Sequence, residues 1–334
     1  MPKTLRDIEP AGPLLDIASY ARRGPGQRER LTPEEVQLIE RTVRRTPEVM
    51  VKVLSRGGQD AKSVGRHFAY LSRKGNLEIE TDDGARIEGR GAEAKLMEDW
   101  DLDIQEQRPT SALRARADRK PPKLVHKVLF SMPPGTPPNK VLEAVKVFAR
   151  EEFGAKHRYA MVLHTDEPHP HVHLVVKAVS EHGARLNIRK ATLRRWRRDF
   201  AGQLRAQGVD ANATERAVRG NVKASKADPI FRAECRGAST HIRERSDLVA
   251  AQIARHGHVR TEGNATLERT RETVEVGWRA VRGVLLRTNQ GELAATVEAF
   301  LREMTRPMTD QQQVALALRQ RVRPAQTPQP RVTR

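Results

Sequence analysis

The sequence predicts an α+β protein in which an antiparallel sheet packs against helices, followed by a mostly helical C-terminal region. Strand and helix patterns alternate between Val49 and Gln207. Residues Tyr159–Ala178 contain two β-rich runs joined by the short connector TDEPHP, which is typical of a hairpin. Beyond about Arg236 only helical periodicity is present. This order favours an α+β arrangement over a doubly wound dinucleotide-binding fold.

Each element is predicted from its own local pattern. Val49–Leu54 is an apolar run ended by Arg56-Gly57-Gly58, as expected of a buried strand. Apolar residues at spacings of three and four predict a helix over Pro138–Phe153. The remaining elements follow in chain order: helix Thr32–Arg44, helix Ala61–Lys74, strand Leu77–Thr81, helix Ala92–Trp100, strand Leu124–Ser131, strands Tyr159–His164 and His171–Ala178, and helix Thr192–Gln207.

Composition divides the chain into four parts. A polar leader occupies residues 1–45, the strand-containing domain occupies 46–235 and includes a basic linker at Arg114–Pro122, and a helical accessory region occupies 236–323. The last part, 324–334, reads PAQTPQPRVTR and is predicted to be a disordered basic tail. The helices of the accessory region are predicted at Ile242–Arg255, Leu267–Leu286 and Glu292–Met304.

The charge balance points to a polyanionic partner. The 334 residues include 61 Lys and Arg against 42 Asp and Glu, a net charge of +19. Such an excess is the electrostatic mark of a protein that binds a phosphate backbone. The alternative is an ordinary surface that happens to be basic. An anionic membrane surface is disfavoured, because no long basic stretch has an apolar stripe opposite it.

Cysteine usage and hydropathy restrict the compartment. Cys235 is the single cysteine, which excludes an internal disulfide framework and a CxxC metal site. No run of 18 apolar residues is present, so no membrane insertion is expected. The N-terminal segment alternates charge and proline, unlike a secretory signal. We therefore expect a soluble protein of a reducing compartment.

The most informative string is HTDEPHPHVH, residues 164–173. Residues two apart on a strand share a face, so His171 and His173 project together. In a hairpin centred on the connector, His164 lies opposite His171, with about 4.5–5.5 Å between Cβ atoms. Three imidazoles on one face can bind a divalent metal and leave positions open for substrate oxygens. The string therefore predicts a metal site.

Two other residues of this string are candidates. A lone histidine is more often a satisfied core or surface residue, but a His-x-His strand with a third histidine across a short turn favours a ligand set. His169 lies in the connector, and we expect it to support the ligands or to face the substrate. Asp166 can orient a ligand histidine or accept a proton. Its alternative role is to initiate the turn.

Of the three tyrosines, Tyr70 is the candidate for chemistry. Tyr20 lies in the polar leader, and Tyr159 is predicted to be a strand residue. Tyr70 lies near the end of a predicted helix in the string HFAYLSRKG, beside Arg73 and Lys74, which attract phosphate. Spacing alone leaves open that Tyr70 is a packed helix aromatic.

The ordered motifs resemble those of one family. They are Tyr70-Leu-Ser-Arg-Lys-Gly75, Leu77-Glu78, Ser131-Met-Pro-Pro-Gly-Thr136 and the histidine string that ends at His173. They resemble the relaxases of conjugative and mobilisable plasmids, which are metal-dependent nucleases of the HUH (His-hydrophobic-His) superfamily. The T-DNA border endonuclease branch is the most similar, because its tyrosine stands in the same context. Residues Gly183–Gly220 also resemble that branch, so the likeness covers about Val49–Gly220.

This resemblance implies a fold and a chemistry. The fold is an antiparallel five-stranded sheet flanked by helices. Tyr70 matches the nucleophile that attacks a scissile phosphodiester and forms a 5′-phosphotyrosyl bond. The histidines at 164, 171 and 173 match the ligands of Mg²⁺ or Mn²⁺. Asp166 matches an acidic position that orients a ligand or the tyrosine's proton.

The resemblance also implies partners. The expected substrate is single-stranded DNA at a plasmid origin of transfer, and the expected protein partners are accessory nicking proteins and a type IV coupling protein. The expected location is the bacterial cytoplasm, with delivery to the recipient cell alongside the DNA. The residues expected to contact DNA are Arg73, Lys74, His169, Arg194, Arg195, Arg197 and Arg198.

Three other classes of protein stay open at this point. A rolling-circle replication initiator shares the His-x-His site, but its tyrosine follows that motif, and here no tyrosine follows Tyr159. An inactive DNA-binding accessory protein would need a broken histidine set or no upstream tyrosine. A structural zinc protein is disfavoured, because three histidines without a cysteine partner leave an open site.

Overall fold

The structure, a computed structural model, describes residues 30–54, 58–102, 122–221, 239–257 and 264–322, together with the single residues 233, 236 and 259. The chain divides into two compact units, residues 45–213 and residues 1–44 with 214–334. Most of the predicted basic linker and all of the predicted tail lie outside the described residues. The predicted limit between 235 and 236 falls in such a stretch, so the division into four parts stays a prediction.

One antiparallel sheet forms the centre of unit 45–213. Its strands are β1 (Met50–Leu54), β2 (Ile79–Thr81), β3 (Arg86–Ile87), β4 (Val125–Ser131), β5 (Tyr159–His164) and β6 (His171–Lys177). Their spatial order is β1-β4-β6-β5-β2-β3. Strand β6 is central, since it pairs with β4 over residues 171–177 and with β5 over residues 171–176. The predicted hairpin is therefore the middle of the sheet.

Helices cover both faces of this sheet. The described helices of the whole chain are α1 (Pro33–Val43), α2 (Ala61–Leu71), α3 (Ala92–Asp99), α4 (Pro138–Phe153), α5 (Lys190–Ala206), α6 (Thr240–His256), α7 (Asn264–Arg287), α8 (Gly291–Glu303) and α9 (Asp310–Val322). Helices α2 and α3 share one core with Val162 and Val175 of the sheet. Helices α4 and α5 share the other core with Val172 and Leu174. We call these the α2 face and the α5 face.

The second unit is helical in its described part. Helices α1, α7 and α8 share a core around Trp278 and Phe300, whose rings meet edge to face at 5.2 Å. The buried indole Nε1 of Trp278 donates to the carbonyl oxygen of Val218 at 2.9 Å. Helix α1 begins at a capping box in which Thr32 and Glu35 satisfy each other's backbone N–H groups. Part of the predicted polar leader thus packs with the C-terminal helices.

The predicted α+β class with a helical C-terminal region is confirmed. The resemblance implied five strands, and the sheet has a sixth, because the two-residue β3 pairs with β2 at the sheet edge. Helix α2 ends at Leu71 rather than at Lys74, since Arg73 and Lys74 adopt positive φ angles of 52° and 61°. Among the described residues, no helix combines the length and apolar composition that crossing a bilayer requires.

One half-buried ion pair, Glu152–Arg195, connects α4 to α5. Both carboxylate oxygens of Glu152 accept from the Arg195 guanidinium at 2.6 Å, and one also accepts from the buried Trp196 Nε1 at 2.9 Å. Burial alone would raise the pKa of Glu152, but the hydrogen bonds from Arg195 and Trp196 lower it below its usual 4.5. Charge-assisted bonds of this kind stabilise more than neutral ones.

We expect Glu152→Ala to lower the free energy of unfolding by about 2–3 kcal/mol, because Trp196 loses its acceptor and Arg195 loses its counter-charge. The matched control is Glu151→Ala. The Glu151 carboxylate accepts from Gln203 at the surface, and its loss should cost less than about 0.5 kcal/mol. Denaturant unfolding at pH 7 compares the variants.

The pH dependence provides a second readout of the same pair. The folded pKa of Glu152 lies below the unfolded value of 4.5, so its contribution is complete above that pH and declines as the pH falls through the folded pKa. The difference in stability between wild type and Glu152→Ala should therefore shrink in acid. A difference that stays constant from pH 7 to pH 3 would contradict the assignment.

Candidate active site on the α2 face

Three histidines meet at the end of the β5–β6 hairpin. The Cα register pairs His164 directly with His171, as predicted, and places His173 opposite Val162. The centroid of the His164 ring lies 5.2 Å from that of His171 and 4.7 Å from that of His173. One ring nitrogen of each histidine lies within 4.8 Å of the corresponding nitrogens of the other two. The three side chains can therefore hold a metal ion.

Backbone carbonyl groups orient two of these rings. Nε2 of His164 donates to the carbonyl oxygen of Leu71 at 2.8 Å. Nδ1 of His171 donates to the carbonyl oxygen of His169 at 2.9 Å. In metal sites the ligand histidine typically donates its second ring N–H in this way, which fixes the tautomer and the ring orientation. The lone pairs left for a metal are then those of His164 Nδ1 and His171 Nε2.

Burial keeps two of the rings neutral. Desolvation, followed by the charges of His164 and His171, lowers the pKa of His173 to about 3. Desolvation also lowers the pKa of His164, against the raising effect of its bond to Leu71. Metal ligands must be deprotonated. Both residues are therefore in the ligating form at pH 7.

Tyr70 projects beside this cluster from the last turn of α2. Its side chain is 56% exposed, and its ring centroid lies 6.3 Å from that of His164. The same helix is anchored by Val64, Phe68 and Leu71, which are buried in the core of the α2 face. An exposed phenol on a well-anchored helix is free to react while its position stays defined.

A left-handed turn follows Tyr70 directly. Arg73, Lys74 and Gly75 have consecutive φ angles of 52°, 61° and 91°. Left-handed backbone costs a non-glycine residue about 1–2 kcal/mol, and such strain persists where the surroundings impose it. A Cβ on Gly75 would lie 2.3 Å from the carbonyl group of Gly89, so only glycine fits there. This turn directs the Arg73 side chain back over the tyrosine.

The Arg73 guanidinium connects helix α2 to the histidine hairpin. Its Cζ lies 4.7 Å from the centroid of the Tyr70 ring, and Nη2 donates to the Asp166 carboxylate and to His164 Nδ1. Hydrogen bonding to the Tyr70 side chain is the main cause that raises the pKa of Arg73. Slight burial would raise the pKa of Asp166, but Arg73 lowers it. The predicted residues 70, 73, 164 and 166 are thus in contact.

His67 lies at the same site, although the sequence motifs did not predict it there. Its ring stacks against Tyr70 at 6.3 Å and meets His173 edge to face at 6.2 Å. Desolvation, followed by the Lys127 charge, lowers the pKa of His67 to about 4. The available signal was its spacing: positions 67 and 70 lie on one side of a helix.

The remaining predicted residues lie elsewhere. His169 is exposed in the connector, as predicted, and supplies its backbone carbonyl oxygen to His171. The arginines 194, 195, 197 and 198 lie on α5, whose apolar side packs on the face of the sheet opposite the histidines. Arg195 is bound to Glu152, and Arg197 donates to the Val51 carbonyl oxygen at 3.4 Å. Their contact with DNA stays a prediction.

An antiparallel sheet with three clustered histidines and a tyrosine beside them is the arrangement expected of a relaxase nuclease domain. The comparison with known protein families agrees with this expectation. Residues 70–208 match the family model of the relaxase MobA/VirD2-like nuclease domain. This segment begins at Tyr70 and contains the histidine triad. Residues 70–208 are therefore similar to the nuclease domain of the MobA/VirD2-like relaxases, in agreement with the resemblance that the motif order predicted.

Individual relatives are more distant. The T-DNA border endonuclease VirD2 of Rhizobium radiobacter is 26% identical over 189 residues, which cover 52% of this chain and 43% of VirD2. The chain thus spans less than half the length of this relative. A solved structure titled "Molecular Basis of Vancomycin Resistance Transfer in Staphylococcus aureus" is 14% identical, covers 51% of this chain and 98% of its own, and superposes with a TM-score of 0.31.

We expect Gly75→Ala to destabilise the protein by about 3 kcal/mol or more, because left-handed strain adds to a collision with the backbone of Gly89. Gly84→Ala is the matched control. Gly84 has a φ of 82°, yet a Cβ there meets no atom within 4 Å, so strain alone should cost about 1 kcal/mol. Denaturant unfolding measures both, and equal losses would contradict the close approach.

Losing a hydrogen-bond partner of a metal ligand weakens metal binding by about 10–100-fold. We expect His164→Ala, His171→Ala and His173→Ala each to weaken Mn²⁺ binding by more than this, because each removes a proposed ligand itself. His169→Ala should bind Mn²⁺ like wild type, because the group that contacts His171 is the residue's backbone carbonyl. Isothermal titration calorimetry without DNA measures all four. Wild-type affinity in any triad variant would remove that histidine from the ligand set.

Proposed function

We propose that this protein is a DNA relaxase that nicks one strand at an origin of transfer and stays covalently attached to the 5′ end through Tyr70. The observation that carries the proposal is that an exposed tyrosine, a cluster of three histidines and an arginine lie together within one matched nuclease domain. The name of the VirD2 relative describes a nuclease of T-DNA borders. Single-stranded DNA is the substrate that this likeness suggests.

In this proposal the triad of His164, His171 and His173 holds Mg²⁺ or Mn²⁺. Such a metal would polarise the scissile phosphate and stabilise the negative charge that develops on its oxygens. The donor set fits this role, since one ring nitrogen of each histidine lies within 4.8 Å of those of the other two, and backbone carbonyl groups orient two of the rings. Three protein ligands leave positions open for substrate, as a catalytic site requires.

Tyr70 supplies the nucleophile. Its phenol oxygen forms a bond to phosphorus while the bond from phosphorus to the 3′ oxygen breaks. The phenol loses one proton and the departing 3′ oxygen gains one, so the step is balanced without a co-reactant. Arg73 lies where it can neutralise phosphate charge. We assign Asp166 to holding Arg73, because the ion pair engages its carboxylate.

The same chemistry runs in reverse. A phosphotyrosyl ester retains the energy of the broken phosphodiester, so a 3′-hydroxyl can attack it and rejoin the strand without a nucleotide cofactor. We therefore propose strand transfer as well as nicking, with accessory nicking proteins and a type IV coupling protein as partners. The protein would act in the bacterial cytoplasm and reach the recipient cell with the DNA. A rolling-circle initiator is disfavoured, because no tyrosine follows the triad in the sequence.

We expect Tyr70→Phe to abolish covalent attachment to a single-stranded origin oligonucleotide while binding of the oligonucleotide persists. Phenylalanine keeps the ring that packs against His67 and Arg73 and removes the reacting oxygen. Tyr159→Phe is the matched control, because Tyr159 is buried in β5 on the opposite face and should not affect attachment. Denaturing gels with labelled oligonucleotide and Mg²⁺ detect the adduct. An adduct formed by Tyr70→Phe would refute the assignment.

A further inference from the structure

Arg73 contacts the metal-binding atom of a ligand histidine. Its Nη2 lies 3.4 Å from His164 Nδ1 and also donates to the Asp166 carboxylate. The guanidinium lies over the Tyr70 ring, and Nη1 donates to the Tyr70 carbonyl oxygen at 3.4 Å. The positive φ of 52° at Arg73 places the side chain there. This one guanidinium therefore contacts the nucleophile, a ligand histidine and the connector.

The contact with Nδ1 conflicts with metal ligation. Nε2 of His164 carries the proton, because it donates to the carbonyl oxygen of Leu71. Nδ1 then has the ring's single available lone pair, and that lone pair accepts from Arg73. A metal bound by the triad needs the same lone pair. A guanidinium at this distance would also repel a divalent cation.

We propose that Arg73 competes with the metal ion for Nδ1 of His164 and so weakens metal binding in the free protein. This inference rests on the proposed metal-dependent function. When the guanidinium turns from Nδ1 towards a phosphate oxygen, the lone pair becomes available to the metal. Asp166 and the Tyr70 ring keep Arg73 beside the site in both positions. Phosphate engagement and metal binding are therefore coupled, and Arg73 is the positioning residue that couples them.

The test is Mn²⁺ binding by isothermal titration calorimetry on the full chain without DNA. Arg73→Ala should bind Mn²⁺ about tenfold more tightly than wild type, the order expected when a charge-assisted hydrogen bond to the ligand atom is lost. Arg66→Ala is the matched control, because it removes an exposed arginine of α2. It should change the dissociation constant by less than about twofold. Arg73→Gln provides a second variant, with the same direction expected, should Arg73→Ala fold poorly.

Unchanged or weaker Mn²⁺ binding in Arg73→Ala would overturn the inference, and so would equal tightening in Arg66→Ala, which would indicate a general charge effect. Absence of Mn²⁺ binding in wild type would instead overturn the metal site and the proposed function with it. A second readout needs no metal. The ¹⁵N resonance of His164 Nδ1 in the metal-free protein should shift in Arg73→Ala and stay in place in Arg66→Ala. A His164 Nδ1 resonance that is unchanged in Arg73→Ala would contradict the contact between Arg73 and His164.

Discussion

The register between β5 and β6 is the constraint on which the site depends. Pairing His164 with His171 places both residues and His173 on the α2 face, while the strand residues that alternate with them, such as Val172 and Leu174, pack in the core of the α5 face. A slip of one residue would turn the imidazoles into the apolar core of the α5 face and the valines onto the α2 face, because strand side chains alternate with a period of two. The apolar cores on both faces therefore fix the register of the two strands, and with it the geometry of the triad. The short connector between the strands also restricts this register.

The second constraint is the end of α2. The helix stops at Leu71, so the carbonyl group of that residue has no helical partner and instead accepts from His164. The left-handed turn that follows sends Arg73 back over Tyr70. Helix termination, the orientation of the His164 ring and the position of Tyr70 thus depend on the same few residues. Backbone strain at this turn is offset by the contacts that it permits.

Local periodicity made much of this predictable. The clustering of the three histidines follows from strand alternation and a short turn, both of which are visible within ten residues of sequence, and motif order made Tyr70 the candidate nucleophile. The sequence pattern predicts that α2 ends at Lys74, because sequence does not show that Arg73 and Lys74 adopt left-handed backbone. Contacts that are distant in sequence, such as Arg73 with Asp166, were not foreseen. The ion pair of Arg195 could not be predicted either, since its partner Glu152 lies 43 residues away in sequence on another helix.

In the proposed reaction Tyr70 becomes covalently linked to DNA at this histidine cluster. The most direct measurement is mass spectrometry of the protein–oligonucleotide adduct after nuclease trimming and trypsin digestion. The nucleotide remnant should be carried by the tyrosine of the peptide HFAYLSR, residues 67–73. A remnant on the peptide that contains Tyr159 or Tyr20, or cleavage that releases a free 5′-phosphate without any adduct, would contradict it.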